Sequence, residues 1–234
     1  MYRKFTFEVG ENYHIYHRGN GKQEIFLEDA DYSRFIILLY LSNSVTPIHL
    51  SDFRGKNFSE FFEIPIREKL VNIGAYCLMP NHYHLLLTPI KEGGVSLFIS
   101  KLATAYAMYF KIKYKRSGSI FEGPFRAKHL NTDEYLRYIF AYIHLNPVKI
   151  KIGQEDWAEK IIPNVKIAKQ FLQKYRFSSY LDYTDKKRVI GKILNKGAFP
   201  EYFDTVKDFE SYTNDWIMYS SEEDESPPIV KDSP

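Results

Sequence analysis

The order of apolar patterns along the 234 residues predicts an α+β fold: an antiparallel sheet with helices packed on one face. Two observations carry this. "LVNIGAYCLMPNHYHLLLTP" reads as two strand-like halves around Pro80-Asn81, and two amphipathic patterns of helical period follow it. Taken in order, "NYHIYHRGNG" alternates as a first strand ending in a Gly-Asn-Gly turn at 19–21. "EDADYSRFIILLYLSNS" is the first helix, capped by Asp29 or Asp31, with Phe35, Ile36, Leu39 and Tyr40 on its apolar face. "PIHLSDF" is a candidate short strand, and "NFSEFFEI" is irregular.

After the strand pair, Gly93-Gly94 makes a loop, and "SLFISKLATAYAMYFKIKYKR" gives a long helix marked by Leu97, Leu102, Tyr106 and Phe110. "SGSIFEGPFRAKHL" is a loop with a short strand or hairpin. "TDEYLRYIFAYIHL" is a helix capped by Thr132 or Asn131, with acids in its first turn, and Asn146-Pro147 ends it. Beyond about residue 155 the amphipathic pieces are mixed, and "SSEEDESPPIVKDSP" has the composition of a disordered tail.

A single cysteine, Cys77, excludes an internal disulfide and a cysteine-based zinc site. "MYRKFTFEVG" lacks the apolar run of a signal peptide, and "FIILLYL" is too short to cross a bilayer, so the cytoplasm is expected and no membrane partner. The net charge of +3 is unevenly spread. Between Lys101 and Lys151 stand ten Lys and Arg against three acids; from Glu201 onward, ten acids against two lysines. A basic stretch threaded with aromatics suits a polyanion, and equally a solvated helix face. As a nucleic-acid grip it offers Lys111, Lys113, Lys115, Arg116, Arg126 and Lys128, with Phe121 or Phe125 to stack on bases.

The two histidines of "PNHYH" are the pointed feature. On a strand His82 and His84 project together while Tyr83 points into the core. Two neutral imidazoles on one face suit a divalent metal, and also plain strand packing. Neither His-x-His-x-Asp-His nor His-Glu-x-x-His is present, so any third ligand must come from elsewhere. The last helix offers Tyr135, Tyr138, Tyr142 and Asn146 near one another, the last two at i and i+4. A phenol beside a metal-bound phosphate can act as a nucleophile, although packing is the ordinary role of each of 19 tyrosines. His144 reads as a packing or supporting residue, and His14 and His17 as structural or DNA-side.

"CLMPNHYHLLLTP" followed by "YLRYIFAYIHLNPVK" resembles the single-tyrosine HUH transposases, most closely the REP-associated tyrosine transposase (RAYT) group. "YHIYHRGNGKQEIFLEDADY", "RSGSIFEGPFRAKHL" and "RFSSYLDY" extend the resemblance over about residues 10–185. It implies a ferredoxin-like (RRM-like) sandwich as the catalytic domain, over 1–155; a helical extension over 156–218 and an acidic disordered tail over 219–234 are expected after it. It implies Mg²⁺ or Mn²⁺ on His82 and His84, with Asn146 as the third ligand, and Tyr142 as the nucleophile forming a 5′-phosphotyrosine on single-stranded or hairpin DNA. A homodimer is possible. The alternatives are a non-cleaving nucleic-acid-binding regulator with the same fold and a phosphoesterase that uses water.

Overall fold

A computed structural model describes residues 6–152, 165–184, 186–203 and 205–219. The strand β1 (Tyr13–Arg18) leads through a tight turn into the helix α1 (Asp29–Leu41). The N-cap of α1 is Glu28, one residue before the expected Asp29; its carboxylate and that of Asp31 close a capping box across the first turn. Phe35, Ile36 and Leu39 are buried, and the Tyr40 hydroxyl donates to Ile64 O at 2.8 Å. The expected strand at "PIHLSDF" is instead a 3₁₀ turn at Leu50–Phe53.

β2 (Val71–Met79) and β3 (His82–Pro89) form the hairpin, with Pro80-Asn81 as a short connection rather than an interruption. α2 (Gly94–Tyr114) follows. Its buried stripe is Phe98, Ile99, Leu102, Tyr106 and Phe110, whereas Leu97 is 47% exposed. Leu97 stands five residues before Leu102, off the three-and-four spacing of a helical face. β4 (Arg126–His129) is the strand of the Gly-Pro region.

The sheet order is β2-β3-β1-β4, all neighbours antiparallel, which is the βαββαβ ferredoxin-like arrangement with a helix after β1 and after β3. Helices cover both faces, not one. Tyr13, Ile15, Tyr83, Leu85 and Leu87 share a core with α1 and α2. On the other face, α3 (Asp133–Leu145) packs Leu136, Ile139, Phe140 and Ile143 against Ala75, Cys77, Met79 and Leu86. Leu85, Leu86 and Leu87 are each fully buried, as a strand covered on both faces requires.

α4 (Val148–Ile152) restarts the helix after Pro147, and α5 (Val165–Leu172) and α6 (Val206–Tyr219) add to the α3 side. The "RFSSYLDY" segment closes the exposed edge of β2: Leu78 N donates to Phe177 O at 3.0 Å, and Ser178 bridges Cys77. At Gly74, where β2 is irregular, a Cβ would lie 2.8 Å from the Phe199 ring, so only glycine lets that ring approach. The expected acidic tail, apart from Tyr219, lies outside the described residues. No helix among them is long and apolar enough to cross a membrane.

Candidate active site

The strand registers decide what shares the α3 face. Arg18 stands opposite His82, Tyr16 opposite both His84 and Arg126, and His14 opposite Leu86 and Lys128. Directly paired residues point to one side of a sheet. His14, Tyr16, Arg18, His82, His84, Arg126 and Lys128 therefore face α3, and Tyr83, His17 and Ile15 face the opposite core.

His82 and His84 lie with ring centroids 4.8 Å apart, nearly perpendicular. Burial pushes His82 down to about 3, helped by Arg18, Lys149 and His14, and drives His84 well below its usual range. Both are neutral imidazoles, the form that ligates. His82 Nδ1 is 2.5 Å from Asn81 Oδ1, and His84 Nδ1 is 2.9 Å from His14 Nε2. His14 is likewise held neutral, down to about 3, by burial and then by Lys128 and Lys149.

α3 delivers the phenol. Thr132 Oγ1 accepts from Tyr135 N to start the helix, and the turns that follow carry the Tyr142 ring to 5.4 Å from the His84 ring and 5.8 Å from His14, edge-on to both. Tyr138 lies one turn earlier, 6.1 Å from Tyr142, and packs on Trp216. Past Pro147 the chain turns back, and Lys149 Nζ reaches 3.4 Å from the Tyr142 hydroxyl and 4.7 Å from its ring centre. Asn146 is fully buried; its Nδ2 donates to Tyr142 O at 2.8 Å. The histidines and the tyrosine are brought together within one chain.

The profile of the IS200-like transposases matches residues 49–146, the stretch that holds His82, His84, Tyr142 and Asn146. That stretch of the chain is similar to the IS200-like transposases. A solved structure, a REP-associated tyrosine transposase bound to a REP hairpin, is 13% identical over 87% of this chain and 90% of that one, with a TM-score of 0.46. No curated protein sequence matches.

The fit of a divalent cation can be judged from orphaned atoms. His84 Nε2 and Asn146 Oδ1 are buried without a hydrogen-bond partner. Such atoms cost stability unless something meets them. Among the described residues no three His, Cys, Asp or Glu side chains are grouped to hold a metal, so a cation bound here would take two imidazoles and be completed by oxygen from amide, water or phosphate. That set suits Mn²⁺ and, with enough oxygens, Mg²⁺.

The expected nucleic-acid residues divide into two groups. Arg126 and Lys128 face the histidines from the edge strand. Lys111, Lys115 and Arg116 end α2, in the opposite layer. Lys113 is a structural cation there, bonded to Asp31 at 2.5 Å and Glu28 at 2.6 Å. Phe121 is buried and stacked on His17 with centroids 4.3 Å apart, so its ring is not displayed to bases. His144 is a packing residue, bonded to Phe140 O at 2.9 Å and Ser179 Oγ at 2.8 Å. His17 belongs to the α1–α2 side, its Nε2 donating to Gly123 O at 3.0 Å. Sequence reasoning missed His14, Asn81, Lys149 and Arg18 as members of the site. The signal for His14 and Arg18 was the period-two alternation of "YHIYHR", legible only once β1 is paired with β3.

Proposed function

We propose that this protein cuts and rejoins single-stranded, hairpin-flanked DNA through a covalent bond to Tyr142, as a transposase related to the REP-associated tyrosine group. The observation that carries the reading is the Tyr142 ring packed edge-on against His84 within one chain. His82 and His84, with Asn146, would hold Mg²⁺ or Mn²⁺, which when bound withdraws charge from the non-bridging oxygens of the scissile phosphate.

Tyr142 Oη attacks phosphorus in line with the 3′ oxygen. The Oη–P bond forms as the P–O3′ bond breaks; the phenol loses its proton and the departing 3′ oxygen gains one. One phosphodiester replaces another, so the 3′-hydroxyl of a second end can reverse the step without an external energy source. Lys149, beside the phenol oxygen, supplies fixed positive charge where negative charge gathers on phosphate and phenolate. Arg126 and Lys128, with Arg18, grip the backbone on the same face. Lys111, Lys115 and Arg116 reach only DNA that passes round the end of α2. A paired, stacked strand has no slack to enter between sheet and helix, so the cut strand is unpaired.

The test mixes protein, Mn²⁺ and a labelled pool of hairpins with short randomised single-stranded flanks, then denatures. A label that stays on wild-type protein and is absent from Tyr142→Phe supports the reading. Retention of the hairpins without any adduct favours the non-cleaving regulator, and turnover without an adduct favours attack by water.

A further inference from the structure

The geometry points to a task for two residues outside the metal-and-tyrosine set: Asn81 and His14 lock His82 and His84 as Nδ1–H tautomers, reserving both Nε2 lone pairs for the cation. This rests on the metal-site reading of the two histidines.

The side-chain amide of Asn81 has one orientation that satisfies both its neighbours. Its Nδ2 donates to Lys22 O at 3.3 Å, which leaves Oδ1 as the atom facing His82 Nδ1 at 2.5 Å. A carbonyl oxygen only accepts, so His82 Nδ1 must carry the proton, and in a neutral imidazole Nε2 then carries the lone pair. The residue is anchored as well through its main-chain carbonyl, which accepts from Gly19 N at 2.8 Å and ties the β2–β3 turn to the turn after β1. At His84 the shared proton lies between its Nδ1 and His14 Nε2, 2.9 Å apart and both buried. Were His14 the donor, His84 would carry its proton on Nε2, a buried N–H with no acceptor. With His84 as donor, the orphaned Nε2 is a lone pair, which is what a cation takes. The two imidazoles thus use the same nitrogen for support and leave the same nitrogen vacant. Groups that hold a ligating histidine from behind fix its tautomer and its ring orientation.

The test uses the full chain without DNA. Long-range ¹H–¹⁵N spectra of the seven imidazoles in metal-free protein are expected to show Nδ1–H for both His82 and His84; an Nε2–H form at either overturns the proposal. Mn²⁺ binding is then followed by electron paramagnetic resonance. Asn81→Ala and His14→Leu are expected to lose about 10- to 100-fold in affinity, while His14→Gln, whose amide oxygen can still accept, stays within about threefold of wild type. Asn81→Ala and His14→Leu binding as tightly as wild type overturns the proposal alone. Wild type binding no better than the His82→Ala/His84→Ala double variant overturns the metal-site reading, and the spectra still decide the tautomers.

Discussion

At the scale of single residues, charge and burial separate the cations that can meet DNA from those that hold the fold. Arg126 and Lys128 project toward the histidines, whereas Lys113 sits between Asp31 and Glu28 with Tyr109 and Tyr114 bonded to the same carboxylate. Replacing Arg126 or Lys128 by Ala should weaken hairpin binding and lower the magnitude of the salt slope by about one per residue. Lys113→Met should leave that slope unchanged and lower the unfolding midpoint, because Asp31 stays buried without its cation. Fluorescence anisotropy at several salt concentrations and a thermal melt separate the two cases. For Lys149, single-turnover adduct formation should slow by about a hundredfold in Lys149→Met and recover substantially in Lys149→Arg, the loss expected when one charge-stabilising donor is removed.

At the scale of elements, everything depends on α3 lying flat on its own sheet. Phe140, Ile143 and His144 anchor it, and the C-terminal segment fastens it from behind through Ser179, whose hydroxyl meets His144 Nε2 and accepts from Tyr76 N at 2.9 Å. Ser179→Ala strands two buried groups and should cost about 1–3 kcal/mol in denaturant unfolding. The pH dependence follows from the same buried histidine. Burial pushes His144 down to about 3, below its unfolded value, so between about pH 3 and about pH 6.5 the unfolded chain binds the extra proton. Its contribution is whole above the upper limit and is lost as pH falls through that window, amounting to about 2 kcal/mol at about pH 5. His144→Gln, which removes the titrating group, should show a shallower acid loss in urea titrations than wild type. These elements were largely legible in advance: the hairpin around Pro80-Asn81, the α3 cap at Thr132 and its end at Asn146-Pro147 follow from local chemistry. The second helical layer was written less openly, in the consecutive burial of Leu85, Leu86 and Leu87, which only a two-sided strand explains.

At the scale of the whole molecule, the site is a convergence of three distant stretches: β1, the β2–β3 hairpin and the α3–α4 corner. His82, His84 and Tyr142, whose rings the fold brings together, each stand in a short ordered motif that can be read in advance. His14, Asn81 and Lys149 were not, since each acquires its role from a contact across chain registers: His14 with His84 over 70 residues, Asn81 through the turn after β1, and Lys149 by the bend at Pro147. Phe121 failed as a stacking residue for the same reason; an aromatic in a basic loop does not reveal that His17 already covers it. The central claim, that the phenol on this docked helix is the nucleophile, is tested most directly by mass spectrometry of the trapped adduct. Trypsin releases 138–149, which contains both Tyr138 and Tyr142. The account predicts a 5′-linked nucleotide phosphate on Tyr142 alone; the same mass on Tyr138, or on any peptide outside α3, would contradict it.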